Sequence, residues 1–464
     1  MKSLKHTYIF IFFIGIFFIP INSYEGIPLL GEFRFDSSII FFFISSLFFT
    51  IDYTIKGKVK IPFKNLYFQI FLVFVIWIII STFLNYNSIE KSYFKKTSGI
   101  NRFIRQFVAL LILIYIFILS YNIFTNFNLK ILFFKLRKIF FISFIVVSIY
   151  GFLEILIIYF HISILEKVIY LFNYFPFTNV YLDYNFKRIS SLSMEPPFLA
   201  MFLITIAGWI FSYILTNKSF NKYIPSIVLF ILTFFSGSRT ALIVISIQFL
   251  VFLVFAFRVS NIYKKKIKRF LLIIGAIVLL IFIFNGEKFV KEIDTKLSSL
   301  NFKENLIKNT SNRSRFGIQY TSLLIFKEHP ILGVGYGQQA YYGRSKYPDW
   351  ATKDNYEFKL WYLNNNVKSF PPGYNLYTRL LAETGIIGFS IFVLLIGLLV
   401  YQSILLLVHR KDTEKTIAIV LLISFIGFAI NWLQIDSFRM YGFWISFALI
   451  IVLLQTKKKY IKPE

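Results

Sequence analysis

Ile386–Leu407 reads IIGFSIFVLLIGLLVYQSILLL, 22 residues without one charged side chain. Wound as an α-helix at 1.5 Å per residue it is about 33 Å long, close to the ~30 Å hydrocarbon thickness of a bilayer. Similar apolar runs recur at 7–22, 37–54, 66–84, 103–122, 139–160, 196–216, 223–236, 240–257, 270–285, 416–434 and 441–456. Lipid offers no partner to a bare N–H or C=O, so runs of this kind cross it as helices. The chain is 57% hydrophobic with 61 Phe in 464 residues, and its mean hydropathy is +0.68. A soluble protein of that length needs far more polar surface. The fold class expected is therefore an all-α polytopic membrane protein of about twelve transmembrane helices. Residues 1–285 hold helices one to nine, 286–385 form one large extracytoplasmic loop, and 386–464 hold helices ten to twelve with a cytoplasmic tail.

Charge gives the orientation. The net charge is +28, and most Lys and Arg of the short connections fall in alternate loops, among them Lys56–Lys64, Lys130–Lys138, Lys264–Arg269 and Lys457–Lys462. The positive-inside rule puts those loops and both termini in the cytoplasm. Long loops are exempt from that count, and 286–385 then lies outside. Composition biased to Phe, Ile, Lys, Asn and Tyr suits an AT-rich coding sequence, so no nucleic-acid partner is expected. The N-terminal Lys2, Lys5 and apolar run resemble a secretory signal, but no small-residue cleavage site follows, and a retained first span is expected. With no Cys, disulfides and thiolate chemistry are excluded. The four histidines, His6, His161, His329 and His409, are too scattered for a helical zinc motif, so neither metal nor cofactor is expected.

Polar residues at membrane entry points are costly and are functional suspects. Four groups of them start spans on the outer side. Ser236-Gly237-Ser238-Arg239-Thr240 precedes the eighth span, whose N-terminus offers unpaired N–H groups and a positive dipole end. With the fork of Arg239 it makes a phosphate or diphosphate cradle, or else a capped helix whose arginine snorkels to headgroups; spacing leaves both open. Glu195-Pro196-Pro197 opens the sixth span, where the dipole favours the ionised carboxylate, making Glu195 a hydroxyl acceptor or arginine partner rather than a proton donor. Arg102 and Arg105, three apart at the start of the fourth, share a face suited to a diphosphate. Before the tenth span, Asn375, Arg379 and Glu383 follow Tyr374 at i, i+4, i+8 on one helical face. In the long loop Arg313 and Arg315 flank Ser314, and His329-Pro330-Ile331-Leu332-Gly333-Val334-Gly335-Tyr336-Gly337 follows. Its Val-Gly-Tyr-Gly matches a potassium-filter string, but the setting favours a tight backbone turn.

The Ser236–Thr240 turn, the Ser193–Ala200 helix start, the His329–Gly335 string and the Asn375 to Gly385-Ile386-Ile387-Gly388 ending together resemble the O-antigen ligase/O-antigen polymerase superfamily. That resemblance implies a fold similar to the C-type membrane glycosyltransferases. It also implies metal-independent transfer of a glycan from an undecaprenyl-diphosphate carrier at the outer face of the cytoplasmic membrane. Its partners would be that lipid-linked glycan, the bilayer, and a chain-length regulator and flippase of the same pathway. Glu195, Arg239 and Glu383 become catalytic candidates. Arg102, Arg105, Arg313, Arg315, Tyr374, Asn375 and Arg379 become substrate-binding ones. The ligases carry a His-Asn pair where this chain has Tyr374-Asn375, and an ordinary Tyr is a poor base. With the Glu-Pro-Pro start this departure points to a polymerase. The alternatives are a ligase acting on lipid A–core and, from another class, a transporter, against which stands the scarcity of charge within the spans, Glu154 excepted.

Overall fold

The computed structural model describes residues 2–217, 219–259, 264–273, 275–276 and 309–455. Its longer helices are α1 (Lys2–Phe17), α2 (Ser37–Lys56), α3 (Leu66–Leu84), α4 (Gly99–Phe124), α5 (Leu129–Ile158), α6 (Pro196–Thr216), α7 (Ile224–Phe235), α8 (Arg239–Val259), α9 (Thr310–Glu328), α10 (Leu376–His409), α11 (Asp412–Asn431) and α12 (Tyr441–Gln455). Among the described residues, eight helices are long and apolar enough to cross a membrane, and α1, α7 and α12 are shorter apolar ones. The chain is an all-α polytopic membrane protein. Most of the expected ninth span, residues 286–308 of the long loop, Lys218 and the Lys457–Lys462 tail lie outside the described residues.

Several boundaries differ from expectation, α5 starting at Leu129 rather than 139 among them, and two of the differences have plain local reasons. The first helix stops at Phe17 rather than running to 22, because Pro20 cannot donate the next helical bond. The tenth begins at Leu376, ahead of 386. Asn375 caps it, its side chain accepting from the Tyr377 and Thr378 N–H at 2.9 and 3.2 Å, and Gly385, at φ 64° and ψ −170°, then bends it. Leu376–Thr384 is thus a separate leg ahead of the span.

Helices α6 and α11 pack against each other at the centre, and α8 packs on both. Small residues allow this closeness: a Cβ on Gly208 would sit 2.9 Å from the Val420 carbonyl oxygen. The buried Gln248 amide of α8 donates to the carbonyls of Ile204 and Ile423, 3.0 Å each, joining all three helices. Gly427 leaves the room that amide occupies.

Alternate connections gather at opposite ends of the bundle. At one end Lys5 reaches Asn126, Lys60 meets Asn122, Tyr121 bonds Gln455 and Arg410 bonds the Leu453 carbonyl. At the other, the 22–36 connection contacts Leu192 and Met194, Arg102 and Arg439, and Thr240 bonds Gln434. All four motif groups share this second end. The long connection lies over it, with α9 packed on α10 and Tyr341 and Arg344 bonded to the Thr97 and Tyr93 carbonyls.

Candidate functional site

The glycines of the 330–337 string solve a problem of backbone approach. Ile386 donates to the Pro330 carbonyl at 2.8 Å, Val334 to Ala382 and Gly335 to Glu383 at 2.9 Å each. Gly333, Gly335 and Gly385 all have positive φ, which glycine adopts without strain. A Cβ on Gly385 would come within 2.1 Å of the Ile331 carbonyl oxygen. The string is a tight turn clamped to the bend of α10, and its amides serve that bend.

Beneath it lies a saturated ionic cluster. Arg379 donates from Nε to Glu383 at 3.1 Å, from Nη1 to the Asp436 carbonyl at 2.8 Å and from Nη2 to Gln106 at 3.1 Å. Its guanidinium lies over the Tyr336 ring, 5.3 Å from the centroid. Glu383 is 2% exposed and also accepts from the Gln339 N–H at 3.4 Å. Both members of this pair are therefore held by protein groups. One turn before Gln106, Arg102 pairs with Glu32 at 2.9 Å and stacks on Phe370, whereas Arg105 is exposed. Arg439 bonds the Glu32 carbonyl and lies 3.7 Å from Asp36. Burial pushes the Glu32 carboxyl up, but Arg102, Arg439 and Arg379 together hold it below the ordinary carboxylate range. Sequence reasoning missed Glu32, Gln106, Asp436 and Arg439. Acids and arginines in the short 31–36 and 435–439 connections, facing the same end as the motifs, were the available signal.

A second cluster is built differently. Ser238 caps α8, its hydroxyl accepting from the Ala241 N–H at 3.3 Å, and Ser236 bonds the Thr233 carbonyl. Gly237, at φ 64°, is approached by Arg188, whose Cγ would lie 2.7 Å from an added Cβ. The space it leaves is thus filled by an arginine side chain. Arg188 itself sits 3.7 Å from Asp183 and over Phe186. Arg239 is half-buried and has no hydrogen-bond or carboxylate partner among the described residues; the charge acting on it is that of Arg315. Arg315 lies over the Tyr374 ring, 5.1 Å from the centroid, and its Nε is buried without a hydrogen-bond partner. Arg313 turns aside to the Asp354 carbonyl at 3.1 Å. Glu195 begins α6 with no side-chain cap bond. It is exposed and without an arginine partner among the described residues. A cavity of about 400 Å³ lined by Ser23, Tyr24, Glu25, Tyr181, Ser190 and Met194 adjoins it.

Tyr374 occupies the joint between these clusters. Its φ is 55°, uncommon for a bulky residue. Its hydroxyl is 2.5 Å from that of Tyr362, which donates to Glu357 at 3.3 Å. Burial pushes the Tyr374 phenol up, so it stands as a neutral hydroxyl. Asn375, besides capping α10, reaches Gln319 of α9 at 3.3 Å. Of the expected i, i+4, i+8 trio, then, Arg379 and Glu383 pair and Asn375 is a cap. Among the described residues no three His, Asp or Glu side chains come together to hold a metal ion.

No curated protein matches the chain. Residues 224–393, which include Arg239, Arg315, Tyr374 and Arg379, match the model of the O-antigen ligase family, and this match supports the likeness to the O-antigen ligase/O-antigen polymerase superfamily.

Proposed function

We propose that the protein transfers a glycan chain from an undecaprenyl-diphosphate carrier at the outer face of the cytoplasmic membrane, and that it is a repeat-unit polymerase. The observation that carries this reading is that Arg239, at the start of α8, and Arg315, over the Tyr374 ring, have no carboxylate partner among the described residues. Cations without a counterion favour an anion, and a guanidinium fork matches phosphate oxygens. An acceptor hydroxyl attacks the anomeric carbon, the bond to the carrier oxygen breaks, and the diphosphate departs with the electron pair. The arginines neutralise the charge that develops there, an effect of about 2.7–4 kcal/mol per donor.

Tyr374 in place of the ligases' histidine favours the polymerase, while the description of the matching family favours a ligase. Proteoliposomes supplied with labelled lipid-diphosphate-linked repeats separate the two. Longer carrier-bound chains are expected; label moving only to lipid A–core would make the protein a ligase. Label crossing the bilayer with no new glycosidic bond would reject glycan transfer.

A further inference from the structure

We propose that Tyr374, Tyr362 and Glu357 form a relay that carries the proton of the acceptor hydroxyl away from the reacting oxygen. The inference rests on the glycan-transfer reading and supplies what that reading lacks, a proton acceptor. The direction of the chain follows from counting hydrogens. A tyrosine hydroxyl has one proton to donate and lone pairs to accept with. Tyr362 spends its proton on Glu357 Oε2 at 3.3 Å. In the 2.5 Å contact between the two phenols, Tyr362 is therefore the acceptor and Tyr374 the donor. The Tyr374 oxygen is left with a lone pair to accept with.

Local structure holds this order. Phe358–Tyr362 is a π-turn, and its wider i, i+5 spacing returns Tyr362 to Glu357. Tyr374 is fixed at the other end by its left-handed backbone and by the Asn375 cap immediately after it. Arg315 over the Tyr374 ring ties the relay to the cation pair assigned to the diphosphate, so proton removal and leaving-group stabilisation face one substrate.

The step balances. As the acceptor oxygen forms its bond to the anomeric carbon, its proton passes to Tyr374. The Tyr374 proton passes to Tyr362, and that of Tyr362 to the Glu357 carboxylate. The electron pair of the broken carbon–oxygen bond leaves with the diphosphate. Glu357, only half-buried, then gives its proton to water and the hydroxyls rotate back. Neither phenol has to rest as an anion, which their burial opposes.

The test compares Y362F, E357Q and E357D with the unaltered full chain in proteoliposomes supplied with lipid-diphosphate-linked repeats. Gln at 357 keeps an oxygen for the Tyr362 hydroxyl but takes no proton, so packing survives while the relay does not. General-base assistance contributes about 10²–10⁴-fold, so Y362F and E357Q are expected to lose at least about 100-fold in kcat with an unchanged donor KM. E357D, which restores a carboxylate, is expected to recover part of the loss. Wild-type kcat in both Y362F and E357Q overturns the relay while leaving glycan transfer standing. An unaltered protein that forms no glycosidic bond overturns the transfer reading itself. Should Y362F fail to fold, E357Q against E357D decides.

Discussion

Two arginine clusters share one end of this bundle and have opposite states of satisfaction. Arg379 spends its donors on Glu383, the Asp436 carbonyl and Gln106, and Arg102 and Arg439 each have a carboxylate within 4 Å. Arg239 and Arg315 have none among the described residues. A buried charge without a partner is expensive, and a molecule that pairs three arginines so fully could have paired two more. The first cluster binds the starts of α4 and α10 to the 22–36 and 432–440 connections; in the proposed reading the second meets an anion.

The largest expected effect falls on the satisfied cluster. Arg379→Ala leaves the carboxylate of Glu383 buried without its guanidinium, and removing one partner of a buried pair costs about 3–5 kcal/mol. Thermal unfolding in detergent should show that loss. The Arg379→Ala/Glu383→Leu double variant should be more stable than the sum of its singles implies, because the shared interaction is counted twice in that sum. A wild-type transition in Arg379→Ala would mean that the pair does not hold the bundle end together.

Arg239→Ala should do the reverse. Its unfolding should match wild type, since no protein partner is lost, while glycan transfer falls by about 10²–10³. Arg239→Lys should keep charge but lose the fork and fall between the two. Undiminished polymer in a glycan gel from correctly inserted Arg239→Ala would remove this arginine from the reaction.

The sequence made the spans plain because apolar length is a local property, and α6 at Pro196–Thr216 matches the expected run at both ends. It also singled out Arg239 and Arg315, from two separate motifs, as candidates for the diphosphate. It could not tell them from Arg379, because satisfaction depends on residues far away in the chain. Gln106 lies 273 residues from Arg379, and Asp436 enters from the connection before the last helix. The bend at Gly385 was hidden for a related reason: Gly-Ile-Ile-Gly reads as ordinary span, and only the approach of the Ile331 carbonyl makes a glycine obligatory there. Glu357 and Tyr362 had no motif around them, and their pairing depends on a π-turn that no residue pattern announces.

That bend yields a smaller, well-controlled effect. Gly385→Ala forces a Cβ into the left-handed region and against the Ile331 carbonyl, a backbone group that cannot swing aside. The cost should be about 1–3 kcal/mol. Gly397, in the same helix, has open space around its Cβ position, so Gly397→Ala should be neutral or gain up to about 1 kcal/mol. Equal losses at both positions would show helix propensity at work, with no role for the clamp of the 330–337 turn.

The least expected change is one of pH, and it belongs to the satisfied cluster alone. Glu32 has its carboxyl held below its ordinary value of 4.5 in the folded chain, burial being outweighed by Arg102, Arg439 and Arg379. A depressed folded value means that the unfolded chain binds the proton more readily. The stabilisation from Glu32 is therefore complete well above pH 4.5 and is lost as pH falls through the lower folded value. Asp36 nearby is pushed the other way by burial, so the difference between wild type and Glu32→Gln isolates the Glu32 share. Unfolding midpoints of the two proteins should converge as pH drops from 6 toward 3, whereas midpoints of wild type and Arg239→Ala should stay parallel throughout. Convergence in the second pair as well would mean that Arg239, too, has a carboxylate partner in the folded protein, and the contrast between the clusters would be lost.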